Sequence, residues 1–172
     1  MACPAGPAAE LATLLPPGPV LELCCGVGGL TRELARAGRQ VLAVDQNLER
    51  LLSNRANLAA LGLERRVAYL CCDLRRPALR EPANALPFEA SVLDPDWSPP
   101  GAPPEKWTSH LSQMDPPADD LIKLALSLCP LVVIRLPRHF DTIFLKCLAK
   151  RAAIDEIGLG GKRWRWLAMR RA

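Results

Sequence analysis

The chain has 172 residues, a formal net charge of +4, and 49% hydrophobic and 23% charged residues. This length and balance predict a single folded domain over 1–172 that needs no disulfide or metal for stability, and they argue against a disordered chain. No apolar run approaches the roughly 20 residues of a membrane helix, and the N-terminus has no signal-peptide pattern, so we expect a cytoplasmic protein outside the membrane.

The cysteines of the chain lack the spacing of a metal site. Two adjacent pairs occur, Cys24-Cys25 and Cys71-Cys72, and no pair has the two-residue gap of zinc ribbons or redox loops. Because these four lie at the ends of apolar segments, we expect free thiols that act as small apolar residues in a reducing compartment. No bound metal is expected.

The first half of the chain alternates strands and helices. Residues 1–18 are rich in proline and alanine, with room for a helical turn at 11–15. The patterns then predict a strand over 20–24, a helix over 30–37, a strand over 40–44 and a helix over 48–61. The last helix is predicted to carry its apolar residues on one face, namely Leu48, Leu51, Leu52, Leu58 and Ala59.

The second half continues this alternation and ends differently. A strand is predicted over 66–72, a looser stretch to 87, a strand over 89–93, a helix over 119–128, a strand over 131–134 and a helix over 140–148. Residues 94–117 are rich in proline and predict a stiffened loop that serves substrate binding. The segments 152–158 and 162–169 predict an antiparallel hairpin around a Gly-Gly turn.

These elements predict an α/β fold with a mostly parallel, seven-stranded sheet that closes in an antiparallel hairpin. Such a sheet resembles the Rossmann-like fold of class I methyltransferases. The hairpin distinguishes it from the sheet of an ordinary dinucleotide dehydrogenase.

A glycine loop follows the first strand and opens the first helix of this sheet. Gly26-Val27-Gly28-Gly29 lets a ligand approach the backbone closely and presents helix N-terminal amides to it. A Gly-x-Gly alone is a weak signal. A nicotinamide-dinucleotide enzyme is a distant alternative, because Arg32 and Glu33 stand where its third glycine is expected.

One acid accompanies each of the first three strands. Glu22 lies inside an apolar strand, where burial is costly unless it meets a cation, such as the ammonium of an amino-acid moiety. Asp45 ends the second strand, where a carboxylate can accept both ribose hydroxyls. Asp73 follows the third strand, where methyltransferases typically hold the adenine amino group. The alternatives are a helix N-cap for Asp45 and a turn residue for Asp73.

Together these features predict a site for S-adenosylmethionine, with S-adenosylhomocysteine as product. The expected cofactor-binding residues are Glu22, Cys24, Gly26, Val27, Gly28, Asp45, Gln46, Asp73 and Leu74.

The fourth strand ends in Asp94-Pro95-Asp96-Trp97, and this motif is the predicted reaction site. A carboxylate at Asp94 and a backbone carbonyl fixed by Pro95 can accept the two N–H groups of an exocyclic amine and aim its lone pair at the sulfonium methyl. Trp97 can stack the base. Trp107 is either a second stacking residue or an anchor of its own loop, and His110 and His139 are expected to be structural.

Several of these segments resemble the trimethylguanosine synthase family, the RNA cap guanine-N2 methyltransferases. The resemblance rests on the run Glu-Leu-Cys-Cys-Gly-Val-Gly-Gly-Leu-Thr at 22–31, on the end of the second strand at 43–45, on 72–74 and on the motif at 94–97. In that family a tryptophan of a Ser-Pro-Pro-Trp motif stacks on the cap guanine, which corresponds to Trp97. The resemblance implies a methyltransferase that acts on guanine N2 in RNA or on a nucleotide.

Two departures from the family pattern keep other functions open. Asp96 replaces the second proline of the motif, and the family's helical extension before the glycine loop has little room in 19 residues, so a protein partner is one possible source of it. The alternatives are a cofactor-binding domain without turnover, or a methyltransferase for a small molecule or a protein. The basic C-terminal residues could contact phosphates or simply be solvated: Lys162, Arg163, Arg165, Arg170 and Arg171.

Overall fold

The structure is a computed structural model that describes residues 3–74, 87–97, 103, 106, 108, 110–140, 143, 152–157 and 164–171, with the backbone alone for 152–157 and 171. The predicted helix over 140–148 lies almost wholly outside the described residues, as do Trp107 and the turn at 159–161. No described helix is long and apolar enough to cross a membrane.

In the described part of the chain, seven strands form one sheet. They are β1 (Val20–Leu23), β2 (Val41–Asp45), β3 (Val67–Cys71), β4 (Ala90–Leu93), β5 (Leu131–Pro137), β6 (Ala152–Ile157) and β7 (Trp164–Arg171). The order across the sheet is β3-β2-β1-β4-β5-β7-β6. Strands β1 to β5 pair in parallel, whereas β7 pairs antiparallel with both β5 and β6. The predicted Rossmann-like sheet with a C-terminal hairpin is confirmed.

Four helices accompany the described part of the sheet: α1 (Ala5–Leu14), α2 (Gly29–Arg36), α3 (Leu48–Ala59) and α4 (Ala118–Leu128). Helix α1 packs on α2, and α4 packs on β4 and β5. Strands β1, β2, β4 and β5 are buried along their whole length, whereas β3, at the sheet edge, is partly exposed. The core therefore lies along the central strands, as expected when both sheet faces are covered.

The N-terminal helix is longer than the sequence predicts. Instead of one turn at 11–15, residues Ala5–Leu14 are helical, and Leu11 is completely buried. The helix ends where Arg39 donates to three backbone carbonyls, those of Ala12, Leu15 and Pro16, at 3.3, 2.7 and 2.8 Å. Tertiary contacts thus stabilise a helix whose local composition gives a weak signal.

Helix α3 is rotated relative to the predicted apolar face. Leu48 and Leu52 are more than half exposed, while Leu51, Asn54 and Leu58 are buried. The cause is polar: the Asn54 amide donates to the Thr31 hydroxyl at 2.9 Å in the core. A buried amide needs such a partner, so the helix turns Asn54 inward and leaves two leucines in solvent.

Candidate functional site

A cleft opens at the carboxyl edge of the sheet, beside β1, β2 and β4. The strand order reverses between β1 and β4, which is the point where open α/β sheets bind ligands. Leu23 is in register with Val44 on one side and Leu93 on the other, so Asp45 and Asp94 emerge at the same edge. The cleft encloses about 820 Å³ of empty space when its solvent-open part is counted.

The cleft is lined by the ends of these strands, the glycine loop and two more distant segments. The lining residues are Cys3, Glu22, Cys24, Cys25, Gly26, Val27, Gly29, Leu30, Asp45, Gln46, Arg50, Leu74, Asp94, Asp96, Asp115 and Pro116.

The glycine loop requires glycine at Gly28 for two reasons. Its φ is +91°, in the left-handed region that side chains disfavour. A Cβ at this position would also overlap the carboxamide of Asn54, which the core holds against Thr31. Cys24, just before the loop, has φ +63° without being glycine. The sharp turn thus passes directly from β1 to the start of α2 and leaves loop atoms on the cleft wall.

Asp45 ties the glycine loop to the start of α3. Its Oδ2 accepts the Gly26 N–H at 2.8 Å and its Oδ1 accepts the Asn47 N–H at 2.9 Å, and the residue is 4% exposed. The N-cap of α3 is Asn47, whose side chain accepts from the Arg50 N–H. Asp45 is therefore not the cap itself. Each of its oxygens keeps a second acceptor position for a ligand hydroxyl.

Glu22 is a buried carboxyl on the cleft wall. It is 1% exposed, and its Oε2 has no hydrogen-bond partner among the described residues. Burial raises its pKa to about 8, with Asp94 and Asp45 adding to the rise and hydrogen bonds from Thr31 opposing it. A buried polar atom without a partner is costly. A cation entering the cleft beside Glu22 would remove that cost.

Asp94 is paired with an arginine from β5. Its Oδ1 accepts from Arg135 Nε at 2.7 Å, with side chains that are 13% and 3% exposed. Burial raises the pKa of Asp94, and the Arg135 charge opposes this. The Arg135 guanidinium lies 5.0 Å from the ring centroid of Trp97 and 5.6 Å from that of Trp164.

Trp97 is held in the interior behind this arginine. It is 5% exposed, its indole N–H donates to the Arg135 carbonyl at 3.0 Å, and it is not among the residues that line the cleft. Trp97 is predicted to stack on the base, and the Arg135 guanidinium already lies against one face of its ring.

Asp96 forms the opposite rim of the cleft together with a second segment. It exchanges two backbone hydrogen bonds with Asp115, both 2.9 Å, and its Oδ2 accepts from Arg50 Nη1 at 3.1 Å. Gln46 Nε2 reaches Asp115 Oδ1 at 3.4 Å. The proline-rich segment predicted as loop over 94–117 thus contains this bridge and a short 3-10 helix, Leu111–Gln113, in its described part.

The structure brings most predicted cofactor residues to one cleft. Glu22, Cys24, Gly26, Val27, Asp45, Gln46 and Leu74 all line it, whereas Gly28 shapes the loop behind it and Asp73 is half-buried outside the lining. The six described cysteines are free thiols. Within the described ranges, no three His, Cys, Asp or Glu side chains are arranged to hold a metal ion.

Sequence reasoning missed Arg135, Arg50 and Asp115. Arg135 had a usable signal, since it is a charged residue inside the apolar strand Leu131–Pro137, the same anomaly that marked Glu22. Arg50 and Asp115 had none, because they meet the site only through the fold.

The side chains that line the cleft fit S-adenosylmethionine. The cleft offers a buried carboxylate atom for an ammonium at Glu22, acceptors for hydroxyls at Asp45, and an apolar wall at Leu74 and Leu30. Five of the lining side chains are carboxyls and one, Arg50, is an arginine, so the cleft has more acidic than basic groups, which favours a cationic ligand.

The sequence profile of a family described as RNA cap guanine-N2 methyltransferase matches residues 18–156. The 23S rRNA (uracil-C5)-methyltransferase RlmD of Acidithiobacillus ferrooxidans is 33% identical over 85 residues, which is 48% of this chain and 19% of RlmD. The chain thus spans about a fifth of the length of this curated relative.

Solved structures share the fold. The 16S rRNA N2 methyltransferase RsmC of T. thermophilus, in complex with AdoMet and guanosine, has a TM-score of 0.73 and 22% identity, over 100% of this chain and 44% of RsmC. The glycopeptide N-methyltransferase MtfA with sinefungin has a TM-score of 0.69 and 16% identity, over 100% of this chain and 88% of MtfA. At these identities the likeness establishes the fold.

Proposed function

Because the chain belongs to the RNA cap guanine-N2 methyltransferase family, we propose that it transfers a methyl group from S-adenosylmethionine to an exocyclic amino group of guanine, at N2, in RNA. The observation that carries the proposal is the buried Oε2 of Glu22, which has no partner among the described residues and lies on the wall of a cleft at the sheet's switch point. The cleft that would hold the cofactor also contains Asp94.

The chain's own residues would hold the cofactor as follows. Glu22 pairs with the ammonium of the amino-acid moiety, and Asp45 accepts the ribose hydroxyls while it fixes the Gly26 amide. Leu74 supplies an apolar contact for the adenine, with Asp73 next to it in sequence. When bound, S-adenosylmethionine supplies an electrophilic methyl group on a cationic sulfur.

Asp94 and Pro95 would orient the acceptor amine. The lone pair of an exocyclic amine is delocalised into the base, so the amine attacks poorly unless its hydrogens are held by acceptors out of the base plane. In this proposal, the Asp94 carboxylate, on the cleft wall just after β4, and the carbonyl of Pro95 next to it would accept those hydrogens. The amine proton released on methylation can pass to Asp94 or to water.

The Trp97 ring and Asp96 would contribute from the same motif. Stacking of the target base on Trp97 would use the ring face that Arg135 leaves uncovered, and the ring, 5% exposed, would have to become accessible to the base. Asp96, on the rim and paired with Arg50, would place a carboxylate near a cationic base such as 7-methylguanine.

The alternative is a cofactor-binding domain without turnover. It is favoured by the same motif: Asp94 is already paired with Arg135, Trp97 is 5% exposed, and a charged Asp96 stands where the family has proline.

Two measurements test the proposal. Calorimetry with S-adenosylhomocysteine is expected to show binding by the wild type and at least tenfold weaker binding by Asp45→Ala, which loses one backbone hydrogen bond at the glycine loop and one at the start of α3. No binding by the wild type, or undiminished binding by the variant, contradicts the cofactor site.

Tritiated methyl transfer to total RNA then separates an enzyme from a binding domain. We expect label in RNA with the wild type and a loss of at least 100-fold with Asp94→Ala, of the size typical for a lost transition-state hydrogen bond of this kind. Lys123→Met, which removes an exposed ion pair on α4, is the control. Cofactor binding without any transfer supports the alternative.

A further inference from the structure

We propose that Arg135 is a positioning residue for the methyl-transfer step: clamped between Trp97 and Trp164, it holds one oxygen of Asp94 so that the other faces the acceptor amine in the cleft. This inference rests on the proposed function, since it assigns how Asp94 is prepared for that reaction.

The position of Arg135 is restricted by its burial and by the strand that carries it. It is 2% exposed and belongs to β5, whose register with β4 sets Ile134 beside Leu93. Asp94, just after β4, and Arg135, inside β5, therefore lie side by side, one residue past that pair. The sheet itself brings the carboxylate and the guanidinium within 2.7 Å.

Two indole rings restrain the guanidinium. Trp97 and Trp164 contact it at 5.0 and 5.6 Å from their centroids, within the distance of a favourable cation–π contact. Trp164 is in turn packed edge-to-face on Trp166, at 6.1 Å and 82°. A guanidinium restrained in this way directs its Nε–H along one line, toward Asp94 Oδ1.

Lysine cannot reproduce this arrangement. Its ammonium is not planar, does not stack on indole rings in the same way and carries no rigid fork of donors. The choice of arginine at this buried position thus has a geometric reason that goes beyond neutralising one charge.

The groups around Asp94 make its ion pair with Arg135 important for whether the Asp94 carboxyl is ionised. Among the described residues, the groups that act on Asp94 are Arg135 from β5, Asp96 from its own segment, Glu22 from β1 and Cys24 from the glycine loop, together with Cys3. Arg135 is the cation of this set, and the others are acids or thiols. Without Arg135, burial and Asp96 would raise the pKa of Asp94 further, and protonation of Asp94 leaves only one oxygen as a pure acceptor.

The variants are Arg135→Met and Arg135→Lys, with Lys123→Met as the matched control in which an exposed ion pair is removed. For Arg135→Met we expect kcat near neutral pH to fall by roughly 100-fold and the acid limb of its pH profile to move to higher pH, because the Arg135 charge lowers the pKa of Asp94. KM for S-adenosylmethionine should change little. Arg135→Lys should keep the wild-type acid limb while losing kcat.

A loss of kcat that is equal at every pH would mean that Arg135 has only a structural role and would overturn the proposal. Folding is checked by binding of S-adenosylhomocysteine, which all variants should retain.

A second readout does not need methyl transfer. In protein labelled with ¹³C at aspartate carboxyls, the Asp94 signal, identified by its absence in Asp94→Asn, should titrate at higher pH in Arg135→Met than in the wild type. An unchanged titration refutes the coupling between the two residues. If RNA accepts no methyl group but this signal moves, the proposed function fails while the Asp94–Arg135 coupling stands.

Discussion

Replacing Glu22 with glutamine should change how the stability of the protein depends on pH. In the unfolded chain this carboxyl titrates near its ordinary value of 4.5, whereas burial raises its pKa to about 8 in the folded protein. Between these values the folded state binds more protons than the unfolded state, so the free energy of unfolding falls as the pH rises. Glu22→Gln keeps the shape of the protonated acid and removes the titration.

The size of this effect follows from the two pKa values. At about 1.4 kcal/mol per pH unit, the span between 4.5 and about 8 corresponds to an upper limit of about 5 kcal/mol. Glu22→Gln should therefore be more stable than the wild type near pH 8, by a few kcal/mol, and similar to it near pH 4.5. Asp94, whose pKa is also raised by burial, adds a slope that is common to both proteins.

The assay is urea unfolding of both proteins at a series of pH values from 5 to 8, with and without S-adenosylhomocysteine. Asp120→Asn, at an exposed site on α4, should reproduce the wild-type profile. Because the ligand ammonium favours ionised Glu22, wild-type binding near pH 7 should release a proton, which calorimetry detects in buffers of different ionisation enthalpy. Equal pH slopes for the wild type and Glu22→Gln would refute the reasoning.

Two further predictions concern the scaffold of the cleft. Gly28→Ala should destabilise the protein by about 1 to 2 kcal/mol for the left-handed backbone and by about 1 to 3 kcal/mol for overlap with Asn54. Gly62→Ala, with open space around its Cβ, should show only the backbone cost. Equal shifts in melting temperature for the two variants would contradict the overlap. Arg39→Met removes donors to three carbonyls at the end of α1 and should lower the free energy of unfolding by at least about 2 kcal/mol. Arg66→Met, which loses one exposed hydrogen bond, is the control for Arg39→Met in urea unfolding. An equal loss of stability in the two variants would contradict the account of α1.

The parallel core of the fold was predictable because its signals are local. Each central strand is a short apolar run bounded by Gly, Pro or a charged residue, and each crossover helix has a clear start or stop, such as Gly38 after α2. Helix α1 was underestimated for the opposite reason. Its proline- and alanine-rich sequence has a weak pattern, and it depends on burial of Leu11 and on carbonyl contacts with Arg39, distant in sequence.

The residues of the candidate site likewise fall into those with a local sequence signal and those that only the fold brings together. Glu22, Gly28 and Asp45 lie within one strand–loop–helix–strand unit, so their spacing in sequence already places them at one edge of the sheet. Arg135 reaches Asp94 across 41 positions of sequence, through the register of β4 and β5. A single sequence reports that a charge is buried in a strand, but not which partner the sheet places beside it.

The most direct test of the proposed function is mass spectrometry of nucleosides after incubation of RNA with S-adenosylmethionine that carries a deuterated methyl group. The proposed chemistry predicts deuterated N2-methylguanosine in RNA treated with the wild type and none with Asp94→Ala. Deuterium on another nucleoside, in protein or small molecules alone, or in no product would contradict it.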